Sequence, residues 1–478
     1  MPDTTRRSNH PVHGEVIEHD IPNGGVSFWY SAIGLPAYRS PLRGDIDADV
    51  CIVGAGFTGL WTAYYLKREM PDLNVVILEK EFAGFGASGR NGGWLSSELA
   101  GSRPGYAATH GHQGVVDLLR AMRGAVDEVI NVATAEGIDA DIVKDGLLHV
   151  ARNRAQSERL QTSLDHERYW GAEPDDFVYL SRAELDSRIV IEGAREATFS
   201  PHCARVQPAK LVSGLTRVVE RMGVRIFEQT TVSVIGSHFA RTDRGTVRAP
   251  IILRCLEGFT ASIAGEKRTW LSMNSSMIVT EPLPDAVLAE IGWSGGELLG
   301  DAAHAYMYAQ RTADNRIALG GRGIPYRYGN RLDDNGATQN WTIRSLTELL
   351  HSMFPAARGV PVAQAWCGVL GVPRDWCATV GLDHATGLGT AGGYVGSGLT
   401  TTNLAGRTLA DLVLRRDTEL TRLPWVNRRV RRWEPEPLRW LGVQAMYVLY
   451  RHADRREFSH DLPSTSRLAR VANMITGR

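Results

Sequence analysis

The chain has 478 residues, 43% of them hydrophobic, and its 53 Lys and Arg balance 53 Asp and Glu to a net charge of zero. That length exceeds one simple core and predicts two or three structural units, the apolar fraction excludes a disordered chain, and the charge balance argues against nucleic acid as a partner. Cysteines at 51, 203, 255, 367 and 377 form no CxxC pair, no apolar run reaches membrane-spanning length, and the N-terminus lacks an apolar signal core; a cytoplasmic protein with no membrane partner is expected.

Residues 1–20 are polar and read as a mobile start, and Phe28-Trp29-Tyr30 reads as an anchor onto the body of the protein. The run Asp49 to Glu79 carries the most specific signal. A short apolar strand, Val50 to Val53, leads into Gly54-Ala55-Gly56-Phe57-Thr58-Gly59; an apolar helical pattern follows, and a second apolar strand, Val75 to Leu78, ends in Glu79. This is a complete βαβ dinucleotide-binding unit, able to hold FAD or NAD. Gly54 permits the sharp turn, Gly56 lets a pyrophosphate approach the backbone, and Gly59 lets the helix pack close to the strand. The helix N-terminus offers N–H groups to phosphates, and the acid after the second strand can hold ribose hydroxyls.

Residues 84–93 follow as a loop with five glycines, a density that requires close backbone approach or unusual dihedrals. Residues 113–137 and 154–170 read as amphipathic helices around a strand at 146–150, and 208–222 as a helix before a strand at 224–228. Strands are expected at 246–253, 272–280, 304–311 and 316–322, and helices at 341–354 and 400–415; the Trp-, Arg- and Pro-rich tail reads as surface helices. Gly387-Leu388-Gly389-Thr390-Ala391-Gly392 also fits GxGxxG, but no long apolar strand precedes it and more glycine follows, so it is rejected as a second nucleotide site.

Several segments together resemble the D-amino-acid-oxidase-like (DAO) family of FAD-dependent oxidoreductases, in particular the γ-glutamylputrescine oxidase type. The matching stretches are Asp49 to Gly59 with Glu79, Gly86 to Gly93, Arg205 to Leu211, Met277 to Leu283, Arg316 to Arg322, and Gly392 to Gly398 with its helix. The resemblance implies an α/β protein: a Rossmann-like FAD-binding domain, discontinuous over 45–105, 200–262 and 360–422, with an inserted substrate domain on a mixed or antiparallel sheet (106–199 and 263–359) and a helical tail, 423–478.

It also implies FAD, held non-covalently, rather than NAD. Gly54, Gly56, Phe57, Thr58 and Gly59 would serve the pyrophosphate, Glu79 and Lys80 the adenosine side, and Val232 the adenine. Gly86, Ala87, Ser88, Arg90, Asn91, Gly92, Gly93 and Trp94 would follow the phosphates and the flavin ring, and Gly258, Gly368, Tyr394, Gly396, Gly398, Leu399 and Thr400 would complete the flavin site. The implied chemistry is hydride transfer to flavin N5 from the carbon beside an amine or amino-acid nitrogen, giving an imine, with reoxidation by O2 to hydrogen peroxide. A dehydrogenase using a quinone or carrier acceptor, and a diverged flavoprotein tailoring enzyme with an altered substrate site, are the alternatives.

Tyr306 and Tyr308 beside His304 could cage an amine or pack a sheet. Arg322 could bind a carboxylate or form an ion pair, and Trp366 could border the flavin or pack the core. Cys367 lies near where some relatives attach FAD. His202, Cys203 and His304 make no metal signature, and no metal is expected. The chain departs from the family pattern at Arg254 to Phe259 and at Leu271 to Ser275, and Ala318 stands where sarcosine-oxidase relatives have an oxygen-activating lysine.

Overall fold

The structure is a computed structural model that describes residues 21–321, 326–332, 335–466 and 469–470. The strand Val50–Val53 is buried on both faces, which is why its sequence is continuously apolar rather than alternating. It pairs in parallel with Val75–Leu78 on one side and Ile251–Arg254 on the other. Arg225–Phe227 and Leu388–Gly392 extend this sheet in parallel, and Thr379–Asp383 closes one edge antiparallel. The helices Phe57–Glu69 and Gly398–Val413 pack together against it. Their crossing is close because Gly406 carries no side chain: a Cβ there would stand 2.6 Å from Trp61 Cβ. Asn403 Nδ2 donates to Tyr65 Oη across the same contact at 2.8 Å.

A second, eight-stranded sheet runs in the order Val362–Val372, Leu271–Thr280, Ile317–Gly321, Met307–Arg311, Leu298–Asp301, Leu147–Ala151, Glu196–Ser200, Val178–Leu180. Its pairings are antiparallel except between Leu298–Asp301 and Leu147–Ala151. The architecture is therefore the expected one, a parallel nucleotide-type sheet joined to a mixed, mainly antiparallel one. The helix Phe28–Ile33 anchors the chain start to the glycine-rich loop: Ser27 Oγ donates to Gly89 O at 2.6 Å, and Trp29 Nε1 donates to Asn91 O at 2.8 Å. In the tail, Leu438–Ser459 is one helix of 22 residues. No described helix is long and apolar enough to cross a membrane.

Three expectations change. The single strand expected at 246–253 is two: Thr246–Arg248 joins a four-stranded sheet and Ile251–Arg254 the parallel one. Pro250 lies between them, where the missing N–H and fixed φ break a ladder. Val362–Val372, assigned by the expected boundaries to the cofactor-side segments, pairs along its length with Leu271–Thr280 in the large sheet. The helix expected from 113 begins at Arg103 and is interrupted at Gly111, whose φ is 64°.

Gly124, exposed within Arg103–Ala135, has nothing within 4 Å of where a Cβ would stand. Gly124→Ala is expected to stabilise the protein by about 0.5–1 kcal/mol, through lower unfolded-chain entropy and better helix propensity. The check is a higher urea midpoint at unchanged slope; an unchanged or lower midpoint refutes it.

Candidate functional site

A cavity of about 1110 Å³ opens where the two sheets meet. Two helix N-termini face it. Gly54, Gly56, Phe57 and Thr58, at the start of Phe57–Glu69, line it, and so do Gly396, Ser397, Gly398 and Leu399, at the start of Gly398–Val413. Neither helix has a side-chain cap at its N-cap residue; Phe57 N is taken by Ser88 Oγ, and the N–H groups that follow it, those at the start of Gly398–Val413 and the positive dipole ends face the cavity for anionic groups. The turn depends on two glycines. Gly54 has φ of 106° and a Cβ there would lie 2.5 Å from Cys255 O, while a Cβ on Gly59 would run into the carbonyl oxygen of Gly54.

Glu79 and Lys80, at the end of the next strand, line the cavity together with Val232. Glu79 Oε2 accepts from Ala55 N at 2.9 Å and Oε1 from Glu81 N at 3.0 Å. Burial pushes its carboxyl up from the ordinary range, and these N–H donors oppose that rise. From the glycine-rich loop, Gly86, Ala87, Ser88, Arg90, Asn91 and Gly92 also line the cavity. Ser88 Oγ accepts from Phe57 N at 2.8 Å, tying the loop to the first helix. Asn91 is spent on the loop itself, donating to Ala87 O and Ser88 O and accepting from Gly93 N. The Arg90 guanidinium lies 4.3 Å from the centre of the Phe85 ring, and its Nε donates to Phe85 O at 2.9 Å.

Trp94, Tyr306, Tyr308, His149 and His304 form a further part of the lining, and Gly368 and Tyr394 another. Tyr308 Oη and Ser275 Oγ are hydrogen-bonded at 2.7 Å, and the Tyr308 ring meets Trp94 edge-on at 6.0 Å. Tyr394 Oη is 3.0 Å from Thr58 Oγ1, which links the two helix-start segments.

His304, Asp454 and Glu457 bring ligand atoms within 4.8 Å of one another. A cation there would compete with Arg159, whose Nη1 is 2.8 Å from Glu457 Oε2 and 3.1 Å from His304 Nε2. The guanidinium already pairs with Glu457 and His304 in that space. Glu457 is held down at about 2 against the effect of burial by hydrogen bonds from His304, Ser466 and Arg159.

Some expected residues stand behind the lining. Gly59, Gly93, Gly258, Thr400 and Trp366 are not among the described residues that line the cavity. Gly258 packs on the strand Val362–Val372, where a Cβ would come 2.6 Å from Val369 Cγ1. Trp366 is fully buried among Phe28 and Trp29, and its Nε1 donates to Arg90 O at 2.9 Å. It packs in the core and supports the loop from behind. Ala318 is likewise buried in its strand, away from the cavity lining. Arg322 lies outside the described residues.

Sequence reasoning missed Arg159, His149 and Glu98, which line the cavity from elements with no motif, and Glu257, whose only signal was its place in the unusual stretch 254–259. The chemistry of the donor set fits FAD: two helix starts facing the cavity for its phosphates and flavin, a half-buried acid for its ribose, and a volume large enough for both cofactor and a small substrate.

Comparison with known proteins agrees with this geometry. A family model described as FAD dependent oxidoreductase (DAO) matches residues 49–412. The chain is 28% identical over 401 residues to γ-glutamylputrescine oxidoreductase of Escherichia coli (strain K12), covering 82% of this chain and 89% of that protein. Among solved structures, it is similar to L-proline dehydrogenase from P. horikoshii, with a TM-score of 0.66 at 16% identity over 79% of this chain and 96% of the other. It is also similar to glycine oxidase from Bacillus cereus ATCC 14579, with a TM-score of 0.65 at 19% identity over 80% and 99% of the two chains.

Proposed function

The chain belongs to the DAO family of FAD-dependent oxidoreductases, and from that premise we propose that it oxidises the C–N bond of a primary or secondary amine or an amino acid to an imine, with oxygen as the final acceptor and hydrogen peroxide as the second product. The reading rests on one observation above all: the lining that carries both helix starts continues into Trp94, Tyr306 and Tyr308, an aromatic and hydroxyl surface suited to an amine. γ-Glutamylputrescine oxidoreductase and glycine oxidase, two of the relatives that match along most of the chain, have an amine or an amino acid in their names.

Bound FAD supplies the hydride acceptor. The chain's own contribution is binding and orientation. The N–H groups at the start of Gly398–Val413 would help hold the cofactor and favour negative charge on it. Tyr308, braced by Ser275 and Trp94, and Tyr306 hold the carbon to be oxidised in place. No strong base is needed when the amine binds neutral. We propose non-covalent cofactor binding. Cys367 Sγ is buried and turned toward Ala337 O at 3.4 Å. Cys255, which does line the cavity, has its thiol pushed up to about 12 by burial, so its nucleophilic thiolate is suppressed.

The test is anaerobic addition of amines and amino acids to the FAD-loaded protein. At least one is expected to bleach the visible flavin absorbance, and readmitted air to restore it with stoichiometric peroxide. If no compound of either class bleaches it, the amine reading fails. Bleaching that recovers with an added quinone but not in air replaces the oxidase with a dehydrogenase.

A further inference from the structure

The family match ends at residue 412, yet one wall of the cavity is held in place by a helix beyond it. The short connection between Leu298–Asp301 and Met307–Arg311 has no regular secondary structure, and Ala302, Ala303, His304 and Tyr306 from it line the cavity. Such a segment is ordinarily mobile unless its backbone groups are satisfied. At its ends Ala302 N donates to Val150 O at 3.2 Å, and Asp301 Oδ1 accepts from Ala303 N at 3.4 Å and Met307 N at 3.1 Å; in its middle the tail helix Leu438–Ser459 supplies the acceptors. Asp454 accepts from His304 N and from Ala305 N, both at 2.9 Å. Tyr450 stacks on the His304 ring with centroids 5.7 Å apart.

Glu457, fully buried, bonds His304 Nε2 at 3.1 Å and accepts from Arg159 Nη1 at 2.8 Å. Arg159 lines the cavity and donates to Ala302 O at 2.7 Å. The tail thus reaches the connection at two places, His304 and Ala305 directly through Asp454 and Ala302 through Arg159 by way of Glu457. On the other side of the cavity, a Cβ on Gly396 would come 3.9 Å from Tyr306 Oη, so the connection stands close to the turn that begins Gly398–Val413.

We propose that the tail helix is part of the substrate-binding wall, with Asp454 and Glu457 as positioning residues that set Tyr306 and His304 and so limit the size of the amine accepted; this rests on the amine reading given above. Loss of the clamp would let the 302–306 connection move away from Gly396 and admit bulkier substrates.

The full-length, FAD-loaded protein and its Asp454→Ala, Asp454→Asn and Glu457→Gln variants test this. For the amine found to reduce the flavin, Asp454→Ala is expected to raise KM by about tenfold or more while kcat at saturation stays within about twofold, and to shift preference toward larger N-substituents. Asp454→Asn, which keeps one acceptor oxygen, should recover part of the loss, and Glu457→Gln should move KM in the same direction. Amide hydrogen exchange over 302–307 should quicken in Asp454→Ala while that over 50–60 is unchanged. Unchanged KM, or kcat falling with KM fixed, overturns the proposal, as does unchanged exchange. If no amine reduces the parent protein, the amine reading fails separately, and acrylamide quenching of bound-flavin fluorescence decides the wall. It should rise by about threefold or more in Asp454→Ala, and no change overturns the wall.

Discussion

Gly59→Ala is expected to yield a protein that purifies without FAD and melts well below the parent. The added methyl group has no free space. It would overlap the carbonyl oxygen of Gly54 and stand 3.1 Å from Ile52 Cγ2, and neither is the mobile end of a long side chain. Relief requires the helix Phe57–Glu69 to shift away from the strand Val50–Val53, and that shift moves the open N–H groups at the helix start. Overpacking against backbone costs about 1–3 kcal/mol or more, and misplacing the phosphate cradle adds to the loss of affinity, so FAD binding should weaken by about a hundredfold or more. Flavin content after purification, a titration with added FAD and a thermal melt are the measurements. A yellow variant with parental affinity would show that the close helix–strand approach is not what holds the cofactor.

That site was legible because everything defining it lies within some thirty residues: two strands buried on both faces, three glycines and an acid, each following from local geometry. The glycine-rich loop was legible as a place of close approach, but not what approaches it. Its partners are Trp29, 62 residues from Asn91, and Gln310, whose Nε2 donates to Gly92 O from 218 residues away. Local patterning carries no record of such contacts. Strand continuity failed at Pro250, where an apolar run hides a change of sheet. For Trp366 the sequence left two readings, a flavin border or core packing; its ring lies against Phe28 and Trp29, 337 residues or more away in the chain. The clamp on His304 could not be seen at all, since Asp454 and Glu457 are 150 and 153 residues away on a helix outside the recognised segments.

Glu257 is the residue whose replacement should be felt most widely. It sits at φ of 43°, in the left-handed region, and is half-buried in the cavity wall. Its Oε2 accepts from Gly393 N at 2.8 Å, and its Oε1 from Tyr394 N at 3.1 Å and Gly371 N at 3.2 Å. One carboxyl group therefore joins the end of the parallel sheet to the long strand Val362–Val372 and to the turn that leads into Gly398–Val413. Glu257→Ala would leave three buried N–H groups unpaired, at about 1–3 kcal/mol each before water relieves them. A total loss of about 3–5 kcal/mol is expected, with weaker FAD binding because the turn lining the cavity loosens.

The pH dependence separates this carboxyl from a neutral spacer. Burial pushes Glu257 up from 4.5 to about 7, with the three N–H donors opposing. The folded protein then holds a proton there that the unfolded chain has released, so the group's contribution to stability falls as pH rises across that interval and is constant above it. The fall amounts to roughly 3 kcal/mol. Other buried acids, such as Asp301, pushed up to about 6, slope the same way, so the quantity to measure is the difference between parent and Glu257→Gln. Relative to the variant, the parent should lose stability between about pH 5 and about pH 7 and then run parallel to it. A difference that does not change with pH would mean that Glu257 is ionised throughout, and that the three backbone donors outweigh its burial.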